Sequence, residues 1–325
     1  MAPPGPLAVS YVLPLKASAE VTDLDDHLRT LASSVEVVVV DGSDPAVFER
    51  HHLRWARWVR HLPVDADLAT PMGKVGGVLT GLRHASFDAV VIADDDVRWT
   101  PELIADAVAR LEGADVVRPQ NWFRPAPWHA RWDTGRILLN RAVGGDWPGT
   151  LVVDRRILAA TGGYDGSVLF ENLELIRTVR AAGGREHLAL DLLVPRVPPP
   201  TRQFLDQRVR QAYDELARPW RIAAFLAVLP SAVVGGRRAV AAIALGSVAM
   251  AEVGRRRGGG RAVFPATAAL WAPLWVAERA CTSWMAVASR LRRGGVRYRD
   301  TVLERAATPP RELRRRHGDV LTPGR

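Results

Sequence analysis

Short β-branched runs that stop on acids mark the first two hundred residues. Residues 7–15 read as a first strand ended by Pro14. Residues 35–40 read as a second, delivering Asp41 in Asp41-Gly-Ser-Asp44. Residues 89–93 run straight into Asp94, Asp95 and Asp96, and 114–118 and 149–156 read as further strands. Apolar runs this short predict strands buried on both faces of a parallel sheet. Amphipathic or capped stretches lie between them. They predict helices over 23–31, 48–60, 101–111 and 157–162, with others starting near Gly73 and within 168–176. Strands alternating with helices predict an α/β fold. Residues 121–133 hold three tryptophans, two prolines and two arginines. They read as a loop, an amphipathic wall on which a sugar or lipid headgroup could stack.

The pattern changes after the proline-rich break at 195–200. Residues 201–213 predict a helix on which Gln207 and Arg210, three apart, share a face. Uncharged runs then follow at 222–236, 239–251 and 262–277, bracketed by Arg237-Arg238, Arg255–Arg257, Arg261 and the arginines from Arg290 onward. Each run is shorter than the ~20 residues an upright crossing needs. They predict short, tilted or interfacial membrane helices with the basic clusters in the cytosol.

Charge sharpens this division. The net +9 splits into −5 over residues 1–201 and +14 over 202–325, counted on the sequence. A basic appendage points to nucleic acid or to anionic lipid. Uncharged runs between the arginines argue against a phosphate-tracking surface, so nucleic acid is excluded as a partner. The single cysteine rules out an internal disulfide framework, and residues 1–15 lack the features of a secretory signal. The expected organisation is a catalytic domain over 1–201, an amphipathic interfacial helix over 202–221, membrane-associated helices over 222–291, and a basic, partly disordered cytosolic tail over 292–325. The location expected is the cell membrane, with the catalytic domain cytoplasmic.

The candidate chemistry gathers at strand ends. Along extended backbone Asp94 and Asp96 point one way and Asp95 the other. A carboxylate pair two apart suits one hard divalent cation, with positions left for phosphate oxygens. Asp41 is a candidate acceptor for a ribose or base edge. Lys74, one of two lysines among 44 basic residues, follows Gly73 at a helix start and suits a phosphate. Glu171, Asn172 and Glu174 sit in the first turns of a helix, where an acid could serve as a general base. Gln207 and Arg210 suit a diphosphate leaving group.

These stretches, in this order, resemble glycosyltransferase family 2, the inverting GT-A type with a Rossmann-like mixed sheet. The resemblance covers about residues 7–213. Asp41 looks like the family's nucleoside-binding acid. Gly73-Lys74 with Gly81 looks like its Gly-Lys-x-x-x-Leu-Asn-x-Gly segment, with Thr80 in place of Asn. Asp94-Asp95-Asp96 looks like its Asp-x-Asp motif, Phe170-Glu-Asn-Leu-Glu174 its Glu-Asp acceptor motif, and Gln207-Arg-Val-Arg-Gln211 its Gln-x-x-Arg-Trp motif. Val97-Arg98 before Pro101, and the basic stretch 291–299, are nearest the ceramide glucosyltransferase and hopanoid-type branch.

The resemblance implies an Mn²⁺ or Mg²⁺ ion on Asp94 and Asp96, and a UDP- or GDP-sugar donor held by Asp41, Lys74, Asp94, Asp95, Gln207 and Arg210. It also implies a lipid or other membrane-bound acceptor. Asn172 stands where the family has its general-base Asp, and an amide takes no proton at neutral pH. Glu171 or Glu174 is then the base, or the chain is a degenerate membrane scaffold that only binds nucleotide-sugar. A nucleotidyltransferase would need a Gly- and Arg-rich loop that residues 7–19 lack.

Overall fold

The computed structural model describes residues 7–298, 301–318 and 320. Seven strands form one sheet: β1 (Val9–Leu15), β2 (Glu36–Asp41), β3 (Arg60–Leu62), β4 (Ala89–Ala93), β5 (Val116–Phe123), β6 (Thr150–Asp154) and β7 (Glu186–Arg196). Their spatial order is β3-β2-β1-β4-β6-β5-β7. β3, β2, β1 and β4 run parallel, and β6 is antiparallel to both β4 and β5. β7 pairs parallel to β5 across a register shift between Arg118 and Gln120.

The valine runs behave as their composition demands. Val38 and Val40 enter the core on one face of the sheet, and Val37 and Val39 the core on the other. β1 and β4 alternate likewise, with Val12, Val90 and Ile92 on the first side and Tyr11, Leu13, Val91 and Ala93 on the second. Each such side chain contributes about 1.5–3 kcal/mol through burial. The register that buries both sets also fixes Leu15, Asp41 and Asp94 at one carboxyl edge. The fold is therefore mixed α/β with a seven-stranded sheet.

Three stretches depart from the sequence expectations. Residues 121–133 are not a loop: β5 continues to Phe123, and a helix runs Trp128–Ala142. Pro125 and Pro127 mask its start, which places Trp128 and Trp132 one turn apart with their rings stacked at 6.1 Å. β3 and β7 carry no strong valine run and were not foreseen. The third uncharged run, 262–277, lies against the helix Trp128–Ala142, where Ala268, Ala269, Ala272 and Trp275 are buried. Among the described residues only Pro219–Ala262 is long and apolar enough to cross a membrane.

The tail is also more ordered than its composition suggests. Val296–Tyr298 and Thr301–Leu303 pair as an antiparallel hairpin, and a helix follows at Pro310–His317. Between them the chain returns to the sheet-bearing part of the molecule, where Leu169 and Phe170 N–H groups donate to the Arg305 and Ala306 carbonyls at 3.0 and 2.8 Å.

Candidate active site

A cleft of about 550 Å³ opens at the carboxyl edge of β1, β2 and β4. Pro14, Leu15, Val40 and Gly42 line it on one side, and Gln203, Gln207, Arg210 and Tyr298 on the other. Asp94, Asp95 and Asp96 lie across its base. The strand ends at Ala93, and a turn closed by the Val97 N–H on the Asp94 carbonyl at 3.1 Å, rather than the expected strand alternation, carries Asp94 and Asp96 to a single guanidinium. Arg196 Nη2 is 2.8 Å from Asp96 and 3.5 Å from Asp94. Asp95 is exposed.

Gly149 backs the motif. It accepts the Asp94 N–H at 2.8 Å, and a Cβ there would lie 2.5 Å from the Asp94 carboxylate. Asp96 Oδ1 is buried and has no hydrogen-bond partner. Burial pushes the Asp96 carboxyl upward against the pull of Arg196. A hard-oxygen pair with one orphaned lone-pair site fits a divalent cation such as Mn²⁺ or Mg²⁺.

Lys74 begins the helix Gly73–His84, as its place after Gly73 predicts. Its Nζ lies 2.5 Å from Asp94 Oδ1 and 2.6 Å from Glu171 Oε1. Burial alone would lower its pKa, but the two carboxylates outweigh that and hold it above the ordinary lysine range. This lysine thus ties the acid motif to the helix Glu171–Ala181.

The three candidates on that helix part company. Glu171 faces the site through Lys74. Asn172 is buried, and its amide donates to the Pro148 carbonyl at 2.8 Å. Glu174 is fully buried away from the cleft and accepts the Thr308 N–H at 2.7 Å. Its carboxyl is pushed up by burial, only partly offset by that bond. Glu174 is therefore an anchor for the C-terminal segment and is removed from the candidate bases.

Asp41 also departs from expectation. Its side chain is wholly buried rather than open to the cleft, and Oδ2 takes His51 Nδ1–H at 2.6 Å and His61 Nε2–H at 3.3 Å. Burial would raise its pKa, but the bonds from His61, Ser43 and His51 bring it down to about 2. Asp41, His51 and His61 place possible ligand atoms within 4.8 Å of one another. Yet His51 Nε2 accepts the Val21 N–H at 3.0 Å, so the ring proton sits on Nδ1 and goes to Asp41. A cation there would require an imidazole with no proton on either nitrogen. The cluster reads as a satisfied hydrogen-bond network that secures the end of β2.

Gln207 and Arg210 both line the cleft, although the helix expected over 201–213 breaks at Gln207 into Thr201–Asp206 and Arg208–Tyr213, and Arg210 lies over the Tyr298 ring at 5.3 Å. Sequence reasoning missed Arg196, Tyr298 and Asp214. Asp214 is half-buried, with Oδ1 lacking a partner. Burial, and then the nearby Glu171 charge, push its carboxyl up to about 8. Arg196 closes β7 inside the proline-rich break, and its only sequence signal is being the one cation there.

Residues 27–214 match the family described as Glycosyltransferase like family 2. The chain belongs to glycosyltransferase family 2. Among solved structures it is similar to the mannosyltransferase PcManGT from Pyrobaculum calidifontis, solved with GDP-Man and Mn²⁺. That likeness has 20% identity, 89% of this chain and 88% of the other covered, and a TM-score of 0.54. Weaker likenesses are to glucosyl-3-phosphoglycerate synthase from Mycobacterium tuberculosis, solved with UDP and Mn²⁺ (20% identity, 60% and 74% covered, TM-score 0.38), and to TarS from S. aureus with UDP-GlcNAc (16%, 61% and 60%, 0.41). No curated protein sequence matches the chain.

Proposed function

We propose that this glycosyltransferase moves a sugar, with inversion, from a UDP- or GDP-sugar to a membrane-associated lipid or polymer acceptor. The observation that carries the reading is the Asp94–Lys74–Glu171 chain, in which one lysine joins the acid motif of the cleft to the acceptor-side acid. Asp94 and Asp96 hold the divalent cation. When bound, the ion supplies positive charge against the diphosphate. Arg210 and Gln207 meet the diphosphate oxygens, and Arg210 holds its charge as the sugar leaves. The backbone of Val40 and Gly42, rather than the Asp41 carboxylate, faces the nucleoside.

Glu171 takes the proton of the acceptor hydroxyl. The acceptor oxygen bonds to the anomeric carbon from the face opposite the diphosphate, whose bond to that carbon breaks with its electron pair. Lys74 holds the Glu171 carboxylate in place through its 2.6 Å contact until the acceptor arrives. The resemblance of Val97-Arg98 and of the 291–299 stretch to the ceramide glucosyltransferase and hopanoid-type branch supports a lipid acceptor. The arginine-bracketed apolar helix supports a cell-membrane location with a cytosolic catalytic domain.

The test is transfer from a panel of labelled nucleotide-sugars to membrane extracts in the presence of Mn²⁺ or Mg²⁺. One donor is expected to label a lipid-extractable or polymer product, and Asp96→Ala to abolish it. Unchanged labelling by that variant contradicts the proposal. The commitment of the Asn172 amide to the Pro148 carbonyl favours one rival, a degenerate scaffold that binds nucleotide-sugar without transferring it. Nucleotide binding with no turnover of any donor would support that rival.

A further inference from the structure

Resting on the membrane reading above, we propose that Pro219–Arg256 is a helical hairpin that enters a phospholipid bilayer from the catalytic-domain side, crosses it twice, and presents Arg237 and Arg238 to the opposite headgroups. A straight helix of these 38 residues would be ~57 Å long, nearly twice the ~30 Å hydrocarbon core. It is not straight. Gly236 adopts φ 55° and ψ −146°, outside helical space, in a left-handed range that a side chain resists. A Cβ on Gly235 would lie 2.5 Å from the Ala239 Cβ. Residues four apart on a regular helix face sit ~5–6 Å apart, so the chain reverses here.

Both ends of the segment return to the same place. Phe225 packs edge-on against Trp275 at 5.5 Å. Arg141 Nε, on the helix Trp128–Ala142, donates to the Gly254 carbonyl at 3.2 Å. Phe225, Val248 and Ala251 share one cluster with Leu138 and Trp275. Residues 225 and 254 would be ~44 Å apart on a continuous helix, too far for one cluster whose two supporting helices touch at Gly135 and Ala272. The inner faces follow helical spacing on both arms. Phe225, Val228 and Ala232 are half-buried on the first, and Ala239, Ile243 and Ser247 are half-buried or buried on the second. The outward positions stay bare, with Val233 83%, Val234 90% and Leu245 71% exposed.

The charge pattern selects lipid as the occupant. The arms carry no charge over 222–236 and 239–251, and their outward apolar surface has no polar seam for a protein partner. Arg218 and Arg221, paired with Glu215, and Arg255 and Arg256, paired with Glu252, stand at the base with Arg257, and Arg237-Arg238 form the tip. From Gly236 to Phe225 and to Val248, where the hairpin rests on the Leu138–Trp275 cluster, the arms are ~17–18 Å long by helical rise, short of the hydrocarbon thickness. The exposed stems of Arg237 and Arg238, which can snorkel, and local thinning close the gap. The excess of arginine at the base puts the catalytic domain on the cytosolic side. The helices carrying Gln207 and Arg210 lead directly into the first arm, so the cleft lies close to the lipid surface.

The experiment uses the full chain in sealed vesicles of phosphatidylcholine and phosphatidylglycerol, with Cys281→Ser removing the exposed native thiol. Arg202→Cys reports the catalytic side, and Arg238→Cys, repeated as Arg237→Cys, reports the tip. In vesicles whose Arg202→Cys thiol reacts with an impermeant maleimide from outside, the tip thiol is expected to react only with reagent loaded in the lumen. Reaction of the tip from outside, or protection from both sides, overturns the two-crossing hairpin while leaving membrane attachment intact. Protein that fails to float with the vesicles overturns the membrane reading itself.

Discussion

Glu171 and Glu174 stand one turn apart on the same helix, yet only Glu171 meets Lys74 beside the cleft. Glu171→Gln is expected to lower transfer by roughly 10²–10⁴-fold, the usual contribution of a positioned base, with donor affinity nearly unchanged. Glu174→Gln is expected to keep transfer within a few-fold, because its task is to receive the Thr308 N–H. Steady-state kinetics of the two variants, read as kcat against donor KM, separate these roles. Asp214 offers a pH signature. Its carboxyl is held near 8 in the fold against an ordinary value of ~3.9. The folded state therefore binds the proton more strongly, and stability falls as pH rises from about 4 through 8. Asp214→Asn should remove that slope and stabilise the protein at pH 8 but not at pH 4, which melting curves at the two values would check. Asp94 and Asp96 were legible because an apolar strand run stops on them at the sheet's carboxyl edge, although a turn and not strand alternation brings the two together. Arg196 and Asp214 were not, since nothing local marks a charge whose partners lie a hundred residues away or arrive by burial.

Among elements, β1, β2, β4 and β6 announced themselves because strands buried on both faces must be apolar throughout. β7 did not, since an alternating edge strand carries charges such as Glu186 and Asp191 between its core residues. The helix Trp128–Ala142 stayed hidden behind Pro125 and Pro127. The helix Gly73–His84 shows how close packing is written in glycines. A Cβ on Gly77 would lie 2.8 Å from Pro14 Cβ, and one on Gly81 would overlap the Val12 side chain. Gly81→Ala should therefore cost about 1–3 kcal/mol of stability through overpacking, seen as a lower denaturant midpoint. An unchanged midpoint would mean that the helix does not sit this tightly on β1.

At the scale of the whole molecule, the split between an acidic first part and a basic second part was plain in the sequence, but the path of the second part was not. Composition suggested a loose tail. The chain instead returns through Arg305, Ala306 and Thr308 to brace the start of the Glu171–Ala181 helix, contacts that no local pattern encodes. A chain ending at Tyr298 should lose stability by at least the ~1–3 kcal/mol of an unsatisfied buried carboxyl at Glu174, and lose transfer more than donor binding.

If Asp94 and Asp96 grip a divalent ion for a nucleotide diphosphate, Mn²⁺ must strengthen nucleotide binding through those two carboxylates. Calorimetric titration of UDP and GDP, with and without Mn²⁺, on the wild type and on Asp96→Asn addresses it most directly. The account predicts that one nucleotide binds the wild type at least about tenfold tighter with Mn²⁺, a gain of ~1.4 kcal/mol, and that the gain vanishes in the variant. Binding of neither nucleotide, or Mn²⁺-independent binding that is equal in both proteins, would contradict it.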